Sequence, residues 1–151
     1  MREGGKADEN QEKARMTDSA EVKRTRSSVK EGDHWKNLEV WKIADLLAQD
    51  IYSKTTNFPS SEVFGLTSQL RRAALSIPTN IVEGCSRKGD RELAHYVNIA
   101  LGSLGEVKYL IHFSLQVGYL NKEYYEDLSA RLTLLGAKLW RFYETIRKTK
   151  A

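Results

Sequence analysis

Tyr125, Leu128, Leu132, Leu135, Leu139, Phe142 and Ile146 recur alternately three and four residues apart near the C-terminal end of the chain. On an α-helix that spacing lines up one apolar seam, and such a seam is buried by packing against other helices. A strand would scatter the same residues over both faces of a sheet. The constraint therefore selects helix here and asks the rest of the chain for partner helices.

The sequence offers three. From about Lys36 to Thr55, Val40, Ile43, Ala44, Leu47 and Ile51 share one side, while Glu39, Lys42, Asp45 and Gln49 fall largely elsewhere, as in an amphipathic helix. Asn57-Phe58-Pro59-Ser60 ends it, because proline drives the preceding residue out of helical geometry. Ser60 or Ser61 is placed to cap a second helix, with Glu62 in its first turn. Leu66, Leu70, Ala73, Ala74, Ile77 and Ile81 form the core side of that helix, and Gly84 is placed as a left-handed C-cap. Pro78 removes one backbone bond, so a bend or local break is expected there. A third helix follows Gly89-Asp90 and runs to about Val117, before Gly118. Asn121 is placed to cap the fourth, with Leu120 and Tyr125 as a hydrophobic staple. The expected fold is all-α, an antiparallel up-down-up-down four-helix bundle over residues 35–148 with a short tail at 149–151.

Residues 1–34 hold eight basic and eight acidic residues and only dispersed apolar ones, the composition of a disordered extension. They contain no continuous apolar core of a signal peptide. The net charge of +4 thus lies in the body of the chain. The longest apolar run, 98–120, carries Glu106, Lys108 and His112 near its middle, too polar for a membrane span. Cys85 is the only cysteine, which excludes an internal disulfide and fits a reducing compartment, here expected to be the cytoplasm. Arg87 and Lys88 nearby would favour a reactive thiolate; the plainer alternative is an inert thiol beside a helix end.

The third helix departs from a simple bundle. Leu93, Val97, Ala100, Leu104, Val107 and Ile111 supply one buried face, yet Gly102, Gly105, Tyr109 and Phe113 make another side small and aromatic. A helix apolar on two sides is normally covered on two sides, so the second face is expected to meet a partner, most simply another copy of the chain. The alternative is that the glycines let helices approach within one subunit.

Chemical motifs are sparse. Glu92 and His95 make one Glu-x-x-His pair, half of what a di-iron bundle needs and without the inward glutamates that complete it. No phosphate-binding glycine loop, nucleophile elbow or zinc spacing occurs. No catalytic residue, metal, cofactor or small-molecule substrate is assigned.

On the second helix Gln69, Arg72, Ser76, Asn80 and Glu83 form a polar stripe opposite the core side. As residues alone they read either as a solvated face or as a subunit contact whose charges fix register. They belong to a longer pattern: Leu38-Glu39-Val40-Trp41, Phe58-Pro59, Gly65-Leu66-x-x-Gln69-Leu70-Arg71-Arg72-Ala73-Ala74-x-Ser76-Ile77-Pro78-x-Asn80-Ile81-x-Glu83-Gly84, and Ala100-x-Gly102-Ser103-x-x-Glu106. This pattern resembles the four-helix-bundle proteins encoded in intervening sequences of bacterial 23S ribosomal RNA genes. The resemblance implies a bundle that assembles as a homopentameric ring. It makes Gln69, Arg72, Ser76, Pro78, Asn80, Glu83, Ser103 and Glu106 structural signatures, and it supplies no catalytic residue. It also points to accessory subunits of diversity-generating reverse transcriptases, which are similar in fold, and so to nucleic acid or a reverse-transcriptase-like protein as partner. Gly89 stands where that family often has a capping Ser or Thr, an expected weakness of a few tenths of a kcal/mol at the start of the third helix.

The expected function is a non-enzymatic ring that binds RNA or DNA, or a nucleic-acid-processing partner, through Arg87, Lys88, Arg91, Lys138, Arg141 and Lys148. A pure protein scaffold is the alternative, since a small net charge speaks to non-specific binding rather than role.

Overall fold

A computed structural model describes residues 9–13, 15, 16, 20 and 33–149. The extension expected to be disordered lies mostly outside these residues; the described positions before residue 33 are helical. From 33 to 149 the chain forms four α-helices: α1 (Glu39–Thr55), α2 (Leu66–Ser86), α3 (Asp90–Gln116) and α4 (Lys122–Lys148), with 3-10 turns at His34–Asn37 and Ser60–Glu62. The described residues contain no strand. No helix among them is long and apolar enough to cross a membrane.

The C-terminal seam lies at the centre: Leu128, Leu132, Leu135, Leu139, Phe142 and Ile146 are almost wholly buried, against Leu47, Ile51, Leu70, Ile77, Ile81, Val97, Val107 and Ile111 from the other helices. Tyr125, at the seam's start, is half-buried against the same core.

Cross-helix contacts give the directions. Arg71 near the start of α2 donates to Thr55 Oγ1 (2.8 Å) and to the Tyr52 carbonyl (3.2 Å) at the end of α1. It thereby fills a carbonyl that a helix C-terminus leaves unpaired. Ser76 and Ser103 hydroxyls meet at 2.8 Å between α2 and α3. A Cβ on Gly136 of α4 would touch Leu104 of α3 at 3.5 Å. Asp50 of α1 receives Arg131 of α4 at 2.7 Å and the Tyr124 hydroxyl at 3.3 Å. Burial, then the Asp50 carboxylate, pushes the Tyr124 hydroxyl pKa upward. Late residues of α1 thus face early residues of α2 and α4, while the α2–α3 and α3–α4 contacts join the middles of those helices.

Local chemistry corrects several expected boundaries. α2 does not begin at Ser60 or Ser61, which form a 3-10 turn; it begins at Leu66, whose amide is accepted by Glu62 Oε2 at 2.9 Å. Glu62 Oε1 also accepts from the Tyr119 hydroxyl at 3.2 Å, so one carboxylate ties the α1–α2 link to the α3–α4 turn. Pro78 does not break α2, which continues through it to Ser86. Thr79 Oγ1 and Asn80 Nδ2 donate to the Leu75 and Ser76 carbonyls at 2.7 and 2.8 Å, adding side-chain bonds in the turn where proline removes a backbone one. Gly84 is no C-cap: it is buried inside α2, where an added Cβ would lie 3.0 Å from Tyr96 Cβ and 3.1 Å from Leu93 Cδ1. A side chain there would have to displace Leu93 or Tyr96 of α3.

Two other caps, at Asn121 and Gly118, follow expectation. Asn121 Oδ1 accepts the Tyr124 amide at 2.8 Å. Gly118 has φ of +82°, with its amide on Leu115 O (3.1 Å) and that of Tyr119 on Ser114 O (2.9 Å). These two bonds are a Schellman ending. Gly89 has φ of +87°, a conformation that strains Ser or Thr. Glycine there fits the backbone and is not the weakness expected of a missing cap.

Candidate functional site

The packing of α2 on α3 merges two features into one outer face. Gln69, Arg72, Ser76, Thr79 and Asn80 from α2 line, with Glu106 of α3, a groove of about 690 Å³. The shared floor is polar and specific: Asn80 Nδ2 donates to Ser76 Oγ at 2.9 Å, and Ser76 pairs with Ser103. Arg72 and Glu106 both reach this groove, and neither has an ion-pair partner among the described residues. Continuing along α3, Gly102 and Gly105 are exposed, Tyr109 is 62% exposed and Phe113 43%. The two rings lie 6.4 Å apart.

The glycines decide between the two readings of this face. A Cβ built on Gly102 or Gly105 meets nothing within 4 Å, so neither glycine serves a close approach inside the subunit. Each nevertheless costs the helix roughly 0.5–1 kcal/mol relative to alanine. Arg71 and Arg72 likewise part company: Arg71 is spent on the end of α1, while Arg72 faces outward. Glu83 leaves the stripe's free set, since Arg87 holds it at 2.6 Å.

The basic candidates do not form one patch. Arg87, Lys88 and Arg91 sit at the α2–α3 turn, the end of the molecule that also carries the last turn of α4. Arg91 lines a cavity of about 360 Å³ with Asp90, His95, Asn98, Tyr143 and Arg147. Arg141 and Lys148 line a separate groove along α4. Lys138 does not join them on an open face: it pairs with Glu39 of α1 at 3.0 Å and its side chain is only 27% exposed. Arg87 is engaged by Glu83, and Lys148 approaches Glu144 at 3.8 Å. Arg91 and Arg141 have no ion-pair partner among the described residues.

Two chemical options take a definite form. Cys85 is buried, and burial pushes its thiol up to about 12. The flanking Arg87 and Lys88 do not offset that desolvation, so this is an inert thiol. Glu92 and His95 are both exposed on the outside of α3. Among the described residues no group of three potential ligands surrounds a common point.

Sequence reasoning missed two aromatic features. Trp140 is 53% exposed on α4, its ring 5.6 Å from that of Tyr143. Its signal was available: it lies off the seam that runs through Leu139 and Phe142. Phe64 is 98% exposed, on the link between α1 and α2. It directly precedes Gly65-Leu66 and has no periodic context that would mark it.

Comparison with known proteins bears on the whole arrangement. A solved structure from Bacteroides thetaiotaomicron, described as a protein of unknown function from the S23 ribosomal protein family, superposes with a TM-score of 0.64 at 22% identity, over 70% of this chain and 95% of the other. No curated protein matches the sequence. The family described as 23S rRNA-intervening sequence protein matches residues 36–141. That match runs from the 3-10 turn before α1 to Arg141 in α4, and the chain belongs to the 23S rRNA-intervening sequence protein family.

Proposed function

We propose that the chain is a non-enzymatic, up-down-up-down bundle that assembles with copies of itself into a ring and presents basic surface to nucleic acid. The observation that carries the assembly is the α2–α3 outer face: two helix-interior glycines with open space above them, flanked by exposed Tyr109 and Phe113. Glycines that nothing inside the subunit approaches make sense where the backbone of another molecule does. Arg72 and Glu106, unpaired in the same groove, would then find opposite charges across the contact and set its register. Phe64 adds a second uncovered apolar group. A pentamer is the subunit number that the family resemblance implies.

The nucleic-acid part rests on charge. Each chain carries +4, and five copies would carry about +20, enough for salt-sensitive phosphate binding. One specific observation favours a protein scaffold instead: Lys138, Arg87 and Lys148 already face carboxylates of their own chain. Filter binding to structured RNA and to duplex DNA at low salt separates the two. Retention that weakens steeply with added salt supports the proposal; absence of retention for both leaves the scaffold.

A further inference from the structure

The outward half of α4 combines aromatic rings and cations in a way the α2–α3 face does not. Trp140, Arg141, Glu144, Thr145, Lys148 and Thr149 line a groove of about 610 Å³, which Arg15 of the N-terminal segment also borders. Beside it the Trp140 and Tyr143 rings stand 5.6 Å apart, tilted by 40°. Arg147 lies over the other ring, its guanidinium carbon 5.5 Å from the Tyr143 centroid. Tyr143 and Arg147 in turn form the wall of the neighbouring cavity that holds Arg91. The result is a ridge of two rings between two grooves.

Charge decides what such a ridge suits. The two grooves bring together Arg15, Arg91, Arg141, Arg147 and Lys148 against Asp90 and Glu144. Glu144 is shared loosely, at 3.6 Å from Arg147 and 3.8 Å from Lys148. By contrast the α2–α3 groove holds one cation and one anion, Arg72 and Glu106. An excess of cations around the exposed Trp140 ring and the half-buried Tyr143 ring is complementary to a polyanion that also offers flat apolar surfaces. Duplex bases already stack on one another, so only unpaired bases have a face to give.

We infer that the Trp140–Tyr143 ridge of α4 is a stacking platform for unpaired bases of single-stranded nucleic acid, with Arg141 and Lys148 on one side and Arg91 and Arg147 on the other holding the backbone phosphates. This rests on the nucleic-acid reading above and narrows it to single strands and to one face. Trp140 is the contact residue; the cations supply affinity without sequence preference.

The test uses the full chain and a short, unstructured oligouridylate, with a duplex of equal length as comparison, read by fluorescence anisotropy at low salt. Trp140→Ala is expected to weaken single-strand binding by about tenfold or more, to leave duplex binding within about twofold, and to keep the wild-type assembly size. Trp140→Phe, which retains a ring, is expected to recover most of the loss. Equal binding of the single strand by wild type and Trp140→Ala would overturn the platform while leaving the broader nucleic-acid reading intact. No binding of either ligand by the wild type would overturn both. Dissociation of the assembly in Trp140→Ala would overturn the platform by assigning the ridge to a contact between copies.

Discussion

Gly84 and Gly105 are the same residue in neighbouring helices and do opposite things. Gly84 sits where α2 and α3 leave no room, with Leu93 and Tyr96 atoms 3.0–3.3 Å from a would-be Cβ. Gly84→Val is therefore expected to destabilise the chain by about 1–3 kcal/mol through overpacking, measurable by urea unfolding. Gly105 has nothing near it. Gly105→Ala should stabilise an isolated subunit by about 0.5–1 kcal/mol by removing glycine's entropic cost, while weakening association. Cys85 gives a third prediction at this scale. Its thiol is raised from 9.0 to about 12 by burial. The folded state therefore keeps a proton that the unfolded state loses, so the associated stability is complete below about pH 9 and is lost as pH rises towards about 12. Cys85→Ala should flatten the fall of melting temperature across that window. A thiol reagent should react with the native protein only at the rate at which it opens.

Among the elements, α4 carries both the most legible sequence and the least anticipated surface. Its seam reads directly because burial enforces a period that nothing else produces: Leu132 and Leu135 are fully buried where the pattern puts them. Leu132→Ala should cost about 2–5 kcal/mol, and Asn121→Ala about 1 kcal/mol through loss of the Tyr124 amide bond; both are readable in the same denaturant titration. Trp140, Tyr143 and Arg147 lie off the buried seam, where no period marks a residue; they acquire meaning from which grooves they border. α2 shows the same division. Its core side was plain, but its start depends on Glu62 reaching forward to the Leu66 amide, with Gly65 leaving space for that carboxylate. Its glycine near the end looked like a cap because distance to another helix is invisible in one dimension. Lys138, expected among the nucleic-acid-binding cations, is instead claimed by Glu39 of α1, a contact that its position along α4 does not reveal.

At the scale of the molecule, one chain leaves the two outer surfaces chemically unlike. The α2–α3 face has small residues, two rings and a balanced pair of charges; the α4 face has rings amid an excess of cations. The account gives the first to another copy of the chain and the second to a polyanion. The first assignment is the foundation, because a ring is what multiplies a modest charge per chain. Light scattering on the full-length protein at micromolar concentration, run beside Gly105→Leu with helicity followed by circular dichroism, tests it most directly. The account predicts a mass of several subunits for the wild type, and collapse towards a single subunit in Gly105→Leu with helical signal retained. A wild-type mass equal to one chain would contradict it.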